Sequence, residues 1–225
     1  MKIIFLDIDG VLNHQGYLND KKQAGKELIA KPEDWYGSYQ IEPEKVELLN
    51  RIVEATGAWV VICSTWRKRF SLLELDQMLV GRGFRDRLMD VTPMPFPKDN
   101  GRQSSTGDEI EEWLKTEKVR AGPGGPEFIY AVLDDNDLFN SRVALRHVRT
   151  SMECGLEEHH VEKAIRMLNL KQVCSKCGSR VYKAELPEGG TVTLNTEPSE
   201  LYTLADYKVS GKVGGYDVHR CKEEK

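Results

Sequence analysis

A chain of 225 residues, 40% of them hydrophobic, is long enough for one full domain with a real core plus a small extra module. A formal net charge of -4 supplies no global field to hold a polyanion, so any nucleic-acid contact needs a local basic patch. The first apolar run, Ile3 to Leu6, is stopped by Asp7 and is too short for a signal-peptide core or a membrane span. The expectation is a cytoplasmic protein whose five cysteines are free or metal-bound rather than paired as disulfides.

Taken in order, residues 2–6 are apolar and β-prone without polar alternation, the pattern of a strand buried on both faces. Residues 13–41 are polar and lack a clear period, which predicts a long loop or flap. Pro43, then Val46, Leu49, Ile52 and Val53, mark a helix that stops at Gly57. Ala58 to Cys63 reads as a second buried strand ending at Ser64, followed by a helix near residues 70–80. Val91 closes a further short strand, and residues 92–105 form a Pro/Gly/Ser loop. Thr106 and Glu109 have capping-box spacing ahead of a helix with Ile110, Trp113 and Leu114 on its buried face. A third strand, Phe128 to Leu133, ends in Asp134-Asp135. Val143 to Val148 suits a short strand or helix, and residues 157–168 an amphipathic helix. Beyond about residue 171 only short β-type runs follow (Arg180–Ala184, Thr191–Leu194, Leu201–Leu204), predicting domains at 1–170 and 171–225.

Apolar strands alternating with helices predict a three-layer α/β fold with a parallel sheet, whose ligands sit at the carboxyl ends of the strands. Asp7 and Asp9, Ser64, and Asp134 and Asp135 all fall at such ends. Adjacent carboxylates do not ionise together freely unless a cation neutralises them. A phosphoryl-transfer site uses this: one carboxylate beside Mg²⁺ attacks phosphorus, and the other works as acid and base. Asp7, the backbone carbonyl of Asp9, Asp134 and Asp135 are the expected Mg²⁺ ligands. A Ca²⁺ loop is the rival for Asp7-Ile8-Asp9-Gly10, but Gly16 and Tyr17 stand where further acids are needed. A phospho-acceptor signalling domain would carry its Asp at the end of a middle strand, where this chain has Cys63-Ser64.

Phe5-Leu6-Asp7-Ile8-Asp9-Gly10-Val11-Leu12 resembles the first motif of the haloacid dehalogenase-like (HAD) superfamily. Val60-Val61-Ile62-Cys63-Ser64 resembles its second and Val132-Leu133-Asp134-Asp135 its fourth. Ser64-Thr65-Trp66-Arg67, the helix around Glu109 and Trp113, and Gly155-Leu156 are similar to the subgroup of RNA-repair proteins and phage polynucleotide phosphatases. The resemblance implies a Rossmann-like core without a large cap, transient phosphorylation of Asp7, Asp9 as acid/base, and phosphoryl binding by Ser64 with Thr65 beside it. For the cationic third motif, Lys98 and Arg102 precede the capped helix, and Arg67 has the fork geometry that grips phosphate.

Neither inter-strand insertion is long enough for an independent cap, which leaves an open site suited to a polynucleotide end. Lys21, Lys22, Lys26 and Lys31 interleave with Tyr17, Trp35, Tyr36 and Tyr39, a mixture that suits backbone phosphates and stacked bases. The alternatives are a small-metabolite or mononucleotide phosphatase, and a non-catalytic adaptor. Cys174-Ser175-Lys176-Cys177-Gly178 forms a metal knuckle, and His219 with Cys221 completes a Cys₃His set resembling a structural Zn²⁺ ribbon, although spacing of the second pair is atypical. Cys63 reads as a core residue, Cys154 as a buried or loop thiol, and His159-His160 as an exposed helix face without metal.

Overall fold

A computed structural model describes residues 1–24, 40–98, 101–122, 128–137 and 143–169, and beyond these the strand segments named below. The chain forms two compact units, Met1–Phe139 with Arg146–Asn169, and Asn140–Leu145 with Leu170–Lys225.

The first unit is built on five parallel strands: β1 (Lys2–Leu6), β2 (Trp59–Ile62), β3 (Leu88–Val91), β4 (Ile129–Asp134) and β5 (His147–Arg149). Their order is β3-β2-β1-β4-β5. Five helices accompany them: α1 (Gln15–Gln23), α2 (Pro43–Thr56), α3 (Leu72–Val80), α4 (Thr106–Ala121) and α5 (Glu158–Asn169). Ile3, Ile4, Phe5 and Leu6 of β1 are all fully buried, as an apolar run without alternation requires when both faces are covered. Ile4 and Leu6 point into a cluster with residues of α2, α3 and α5, including Leu49, Leu75 and Val161. Phe5 faces the other way, edge-on to Trp113 of α4 at 5.4 Å and to Tyr130 of β4 at 5.7 Å. The result is the expected three-layer α/β domain.

Local signals account for most helix ends. Pro43 lies in the first turn of α2, and Gly57 ends it with φ 65°, a left-handed cap that suits glycine. Ser71 and Glu74 close a reciprocal capping box at α3. Two expectations are corrected. The flap predicted over 13–41 contains a helix, α1. None of its residues is buried, so no apolar period betrays it, and its start is made by His14, whose ring accepts from Tyr17 N. The cap of α4 is one residue earlier than Thr106 and Glu109. Asp108 N donates to Ser105 Oγ, while Ser105 N donates to Asp108 Oδ2. That shift frees Glu109 for another partner.

The partner is Arg67, which lies in the 3₁₀ turn Thr65–Lys68 after β2 and is 4% exposed. Its Nε donates to Thr92 O (3.2 Å), Nη1 to Cys63 O (2.5 Å) and Ser64 O (2.6 Å), and Nη2 to Pro93 O (3.3 Å) and to the Glu109 carboxylate. A guanidinium has five N–H donors, and all five are engaged within the protein. The expectation that Arg67 grips phosphate is therefore corrected. It ties the ends of β2 and β3 to α4. Glu109 in turn accepts from Ser104 Oγ at 2.9 Å, and Ser104 Oγ accepts from Phe96 N at 3.0 Å, so the loop after β3 hangs from the same pair.

In the second unit, β6 (Tyr182–Glu185) pairs antiparallel with β7 (Thr191–Leu194), matching two of the anticipated β runs. β8 (Lys208–Val209), β9 (Lys212–Val213) and β10 (Tyr216–Asp217) form a small antiparallel sheet in the order β10-β9-β8. Leu201–Leu204 and the anticipated zinc ligands Cys174, Cys177, His219 and Cys221 lie outside the described residues.

Because Glu109 is buried with Arg67, Glu109→Gln leaves a guanidinium buried without its counter-charge. The expected loss is about 3 kcal/mol or more of unfolding free energy in a urea titration. An Arg67→Met/Glu109→Leu double variant should lose less than the sum of the two single variants.

Candidate active site

The chain builds β2 and β3 outward on one side of β1, then returns to lay β4 and β5 on the other. The order thus reverses between β1 and β4, and that switch point is where an open α/β sheet leaves a crevice at its carboxyl edge. Leu6 pairs with Leu133, and Asp7 N donates to Leu133 O at 2.9 Å, so Asp7 emerges directly beside Asp134. Carboxylate oxygens of Asp7, Asp134 and Asp135 lie within 4.8 Å of one another.

This proximity is costly in the protein alone. Burial, reinforced by the Asp134 charge, pushes the Asp7 carboxyl up to about 7 against hydrogen bonds from Ser64 and Ile8 N. Burial pushes Asp134 up to about 6, opposed by bonds from Asn136. Asp135 is also raised, chiefly by burial. The leading influences on Asp7 and Asp134 include no cationic side chain. Arg149 offsets part of the charge at Asp135, and a crowded set of hard oxygen donors of this kind fits a divalent cation such as Mg²⁺.

Gly10 makes the cluster possible. Its φ is +67°, and a Cβ there would stand 2.5 Å from Cγ of Asp135. Only glycine combines this conformation with room for the carboxylate. Asp9 is held from two sides. Asn13 Nδ2 donates to its Oδ1 at 2.9 Å and Trp66 Nε1 to its Oδ2 at 2.9 Å. Ser64, 1% exposed, hydrogen-bonds Asp7 and accepts from Trp66 N at 3.4 Å. Asp7, Asp9, Ser64, Asp134 and Asp135 are thus joined by contacts in one site, while Thr65 is exposed at the start of the 3₁₀ turn.

Lys98 and Arg102 are paired through the backbone, Lys98 N donating to Arg102 O at 2.9 Å. The Lys98 ammonium pairs with both oxygens of Asp108 at 3.0 Å. Neither cation is among the leading influences on Asp7 or Asp134. In the flap, Tyr17 donates its hydroxyl to Ile41 O at 3.1 Å and carries Lys21 over its ring at 4.9 Å. Lys26, Lys31, Trp35, Tyr36 and Tyr39 lie outside the described residues.

Asn13, Trp66 and Glu109 belong to the site or its frame but were not legible as such. Trp66 and Glu109 fall in stretches that carry the subgroup resemblance, whereas no local pattern marks Asn13. Cys63 is buried, and burial raises its thiol pKa well above the ordinary value, so it is an inert core residue; Cys154 is exposed. The His159-His160 expectation is half corrected: His160 is 7% exposed. Its Nδ1 accepts from Glu157 N at 3.1 Å, and Glu157, His159 and His160 bring ligand-type atoms within 4.8 Å of one another.

A three-layer α/β domain with this strand order and acids at the ends of β1 and β4 defines a HAD-like hydrolase core. More narrowly, the chain belongs to the family described as the HAD domain in Swiss Army Knife RNA repair proteins, whose model matches residues 3–161. It is a HAD-type hydrolase, and its substrate is phosphorylated. Comparisons with curated proteins and with solved structures gave no match. Among the described residues no helix is long and apolar enough to cross a membrane.

Folding raises the Asp7 and Asp134 pKa values above their unfolded values, so the folded state holds more protons between about pH 4 and 7. The metal-free protein should therefore lose stability as pH rises through that window, and Mg²⁺ should raise Tm more at pH 8 than at pH 5. Asp7→Asn should raise the metal-free Tm at pH 8 by about 2–8 °C, read by differential scanning calorimetry. Gly10→Ala should displace Asp135 and weaken Mg²⁺ binding by roughly tenfold or more in a calorimetric titration.

Proposed function

We propose that the protein is a Mg²⁺-dependent phosphomonoesterase that works through an aspartyl-phosphate on Asp7 and removes a terminal phosphate from a nucleotide or polynucleotide end. The observation that carries this reading is the closeness of the Asp7, Asp134 and Asp135 carboxylates, with Ser64 bonded to Asp7. Mg²⁺ held by Asp7, Asp134, Asp135 and the Asp9 carbonyl would keep Asp7 ionised and offset negative charge as the phosphoryl group approaches.

The residues then divide the work. An Asp7 oxygen bonds to phosphorus as the bond from phosphorus to the leaving oxygen breaks. Asp9 delivers its proton to that oxygen, a contribution of roughly 10²–10⁴ in rate. Water next attacks the phosphorus of the acyl phosphate and loses its proton to Asp9, releasing phosphate and restoring both carboxyls. The Ser64 hydroxyl, turned from Asp7, would donate to a phosphoryl oxygen, with Thr65 beside it. For the charge-balancing cation, Lys98 and Arg102 remain the candidates, Lys98 after leaving Asp108.

A polynucleotide end is favoured by the RNA-repair family and by the short connection between β2 and β3. Between β2 and β3 the chain has only the 3₁₀ turn and α3, leaving no insertion there to enclose a small substrate. We assign 1–170 to the phosphatase domain and 171–225 to a zinc-ribbon-like module with Cys174, Cys177, His219 and Cys221 as ligands, serving binding or docking. A mononucleotide or small-metabolite phosphatase is the alternative.

Phosphate release from 3′-phosphorylated oligonucleotides, 5′-phosphorylated oligonucleotides and mononucleotides, each with and without Mg²⁺, tests the assignment. Release should be fastest from one oligonucleotide class and fall by about 10³-fold or more in Asp7→Asn. Hydrolysis persisting in that variant would remove the nucleophile assignment, and preference for mononucleotides would favour the alternative. Metal analysis of the purified chain should find one zinc, lost on Cys174→Ser/Cys177→Ser.

A further inference from the structure

Asp9 lies in a loop that Gly10 leaves free to turn, so its carboxyl needs outside restraint to point one way. Two side chains supply it, from two different strand ends. Asn13 is fully buried, and its Oδ1 accepts from Gly10 N at 3.0 Å. That contact fixes which end of the amide is which, because a backbone N–H can only donate, and it turns Nδ2 toward Asp9 Oδ1. Trp66 packs against the core cluster and against Phe70 at 6.0 Å, and so holds its indole N–H on Asp9 Oδ2.

Both partners are neutral donors. An indole N–H has no acceptor capacity, and the Asn13 amide presents only its NH₂. Neither can take a proton from Asp9 at neutral pH. Each oxygen of the Asp9 carboxyl thus carries one hydrogen bond from a neutral side chain.

We infer that Asn13 and Trp66 are positioning residues that fix the orientation of the Asp9 carboxyl for proton transfer to the leaving oxygen. The inference rests on the phosphatase reading above and assigns roles that it leaves open. In the first half-reaction the bond from phosphorus to the leaving oxygen breaks, the Asp7 oxygen bonds to phosphorus, and the Asp9 proton passes to the departing oxygen. In the second, water gives its proton back to Asp9 as the acyl phosphate is cleaved.

The distinguishing measurement is the dependence of kcat/KM on leaving-group basicity, because kcat/KM covers the phosphorylation of Asp7. Trp66→Phe and Asn13→Ser are compared with the parent on 2,4-dinitrophenyl, 4-nitrophenyl and phenyl phosphate in Mg²⁺. Dinitrophenolate departs without a proton, so its kcat/KM should change by less than about twofold. Phenyl phosphate needs the proton, and its kcat/KM should fall by roughly tenfold, the loss of one positioned hydrogen bond. A loss equal across the three substrates, or no loss, would overturn the inference, since a general structural defect does not sense the leaving group. Should Trp66→Phe fail to show a cooperative melt, the Asn13→Ser series decides alone. If the parent chain hydrolyses none of the three, the phosphatase reading itself falls, and this inference with it.

Discussion

Three carboxylates are brought together where the sheet reverses its order, and little in the first unit's carboxyl edge makes sense without that crowding. β1 and β4 are hydrogen-bonded neighbours, so Asp7 and Asp134 must emerge side by side. Asp135 then fills the space that Gly10, lacking a Cβ, leaves open. Burial and mutual repulsion raise the proton affinity of the cluster, and no side-chain cation is prominent among the groups acting on Asp7 or Asp134. Such a site takes up either protons or a metal ion, and near neutral pH the metal is the better neutraliser for hard oxygen donors. A cationic side chain in the same place would stabilise the metal-free protein and compete with any divalent ion for these oxygens.

The cation nearest the second strand end is spent on architecture instead. Arg67 turns inward and gives all its donors to carbonyls at the ends of β2 and β3 and to Glu109. Buried backbone carbonyls without hydrogen atoms to accept would be costly, and a guanidinium can satisfy four of them while paired to a carboxylate. The consequence is mechanical: Ser64, the loop carrying Lys98, and α4 are held relative to one another.

How much of this was legible depends on whether a residue's role follows from its own strand. Buried strands announce themselves by unbroken apolar runs, and their polar terminators follow at once, which is why Asp7, Asp9, Ser64, Asp134 and Asp135 could be named. α1 could not be foreseen, because a helix that buries no residue has no apolar period. The α4 cap was misplaced by one residue because Thr106 and Glu109 have the same spacing as the true pair, Ser105 and Asp108. Spacing alone cannot separate two overlapping boxes; the deciding fact is that Glu109 is claimed by Arg67.

By itself, then, the order of residues determined that apolar strands would end in acids and a serine, since strand burial and polar termination are local properties. The motif resemblance went further and pointed to the family that the match over residues 3–161 establishes. Only the tertiary structure decided which of those ends are neighbours, which cation is a clamp, and which neutral donors hold Asp9. Asn13 and Trp66 meet the same carboxyl although they are 53 residues apart in the chain (66 − 13 = 53), a contact set by the pairing of β1 with β2. Hydrogen bonds between distant segments are chosen by packing, and no periodicity records them.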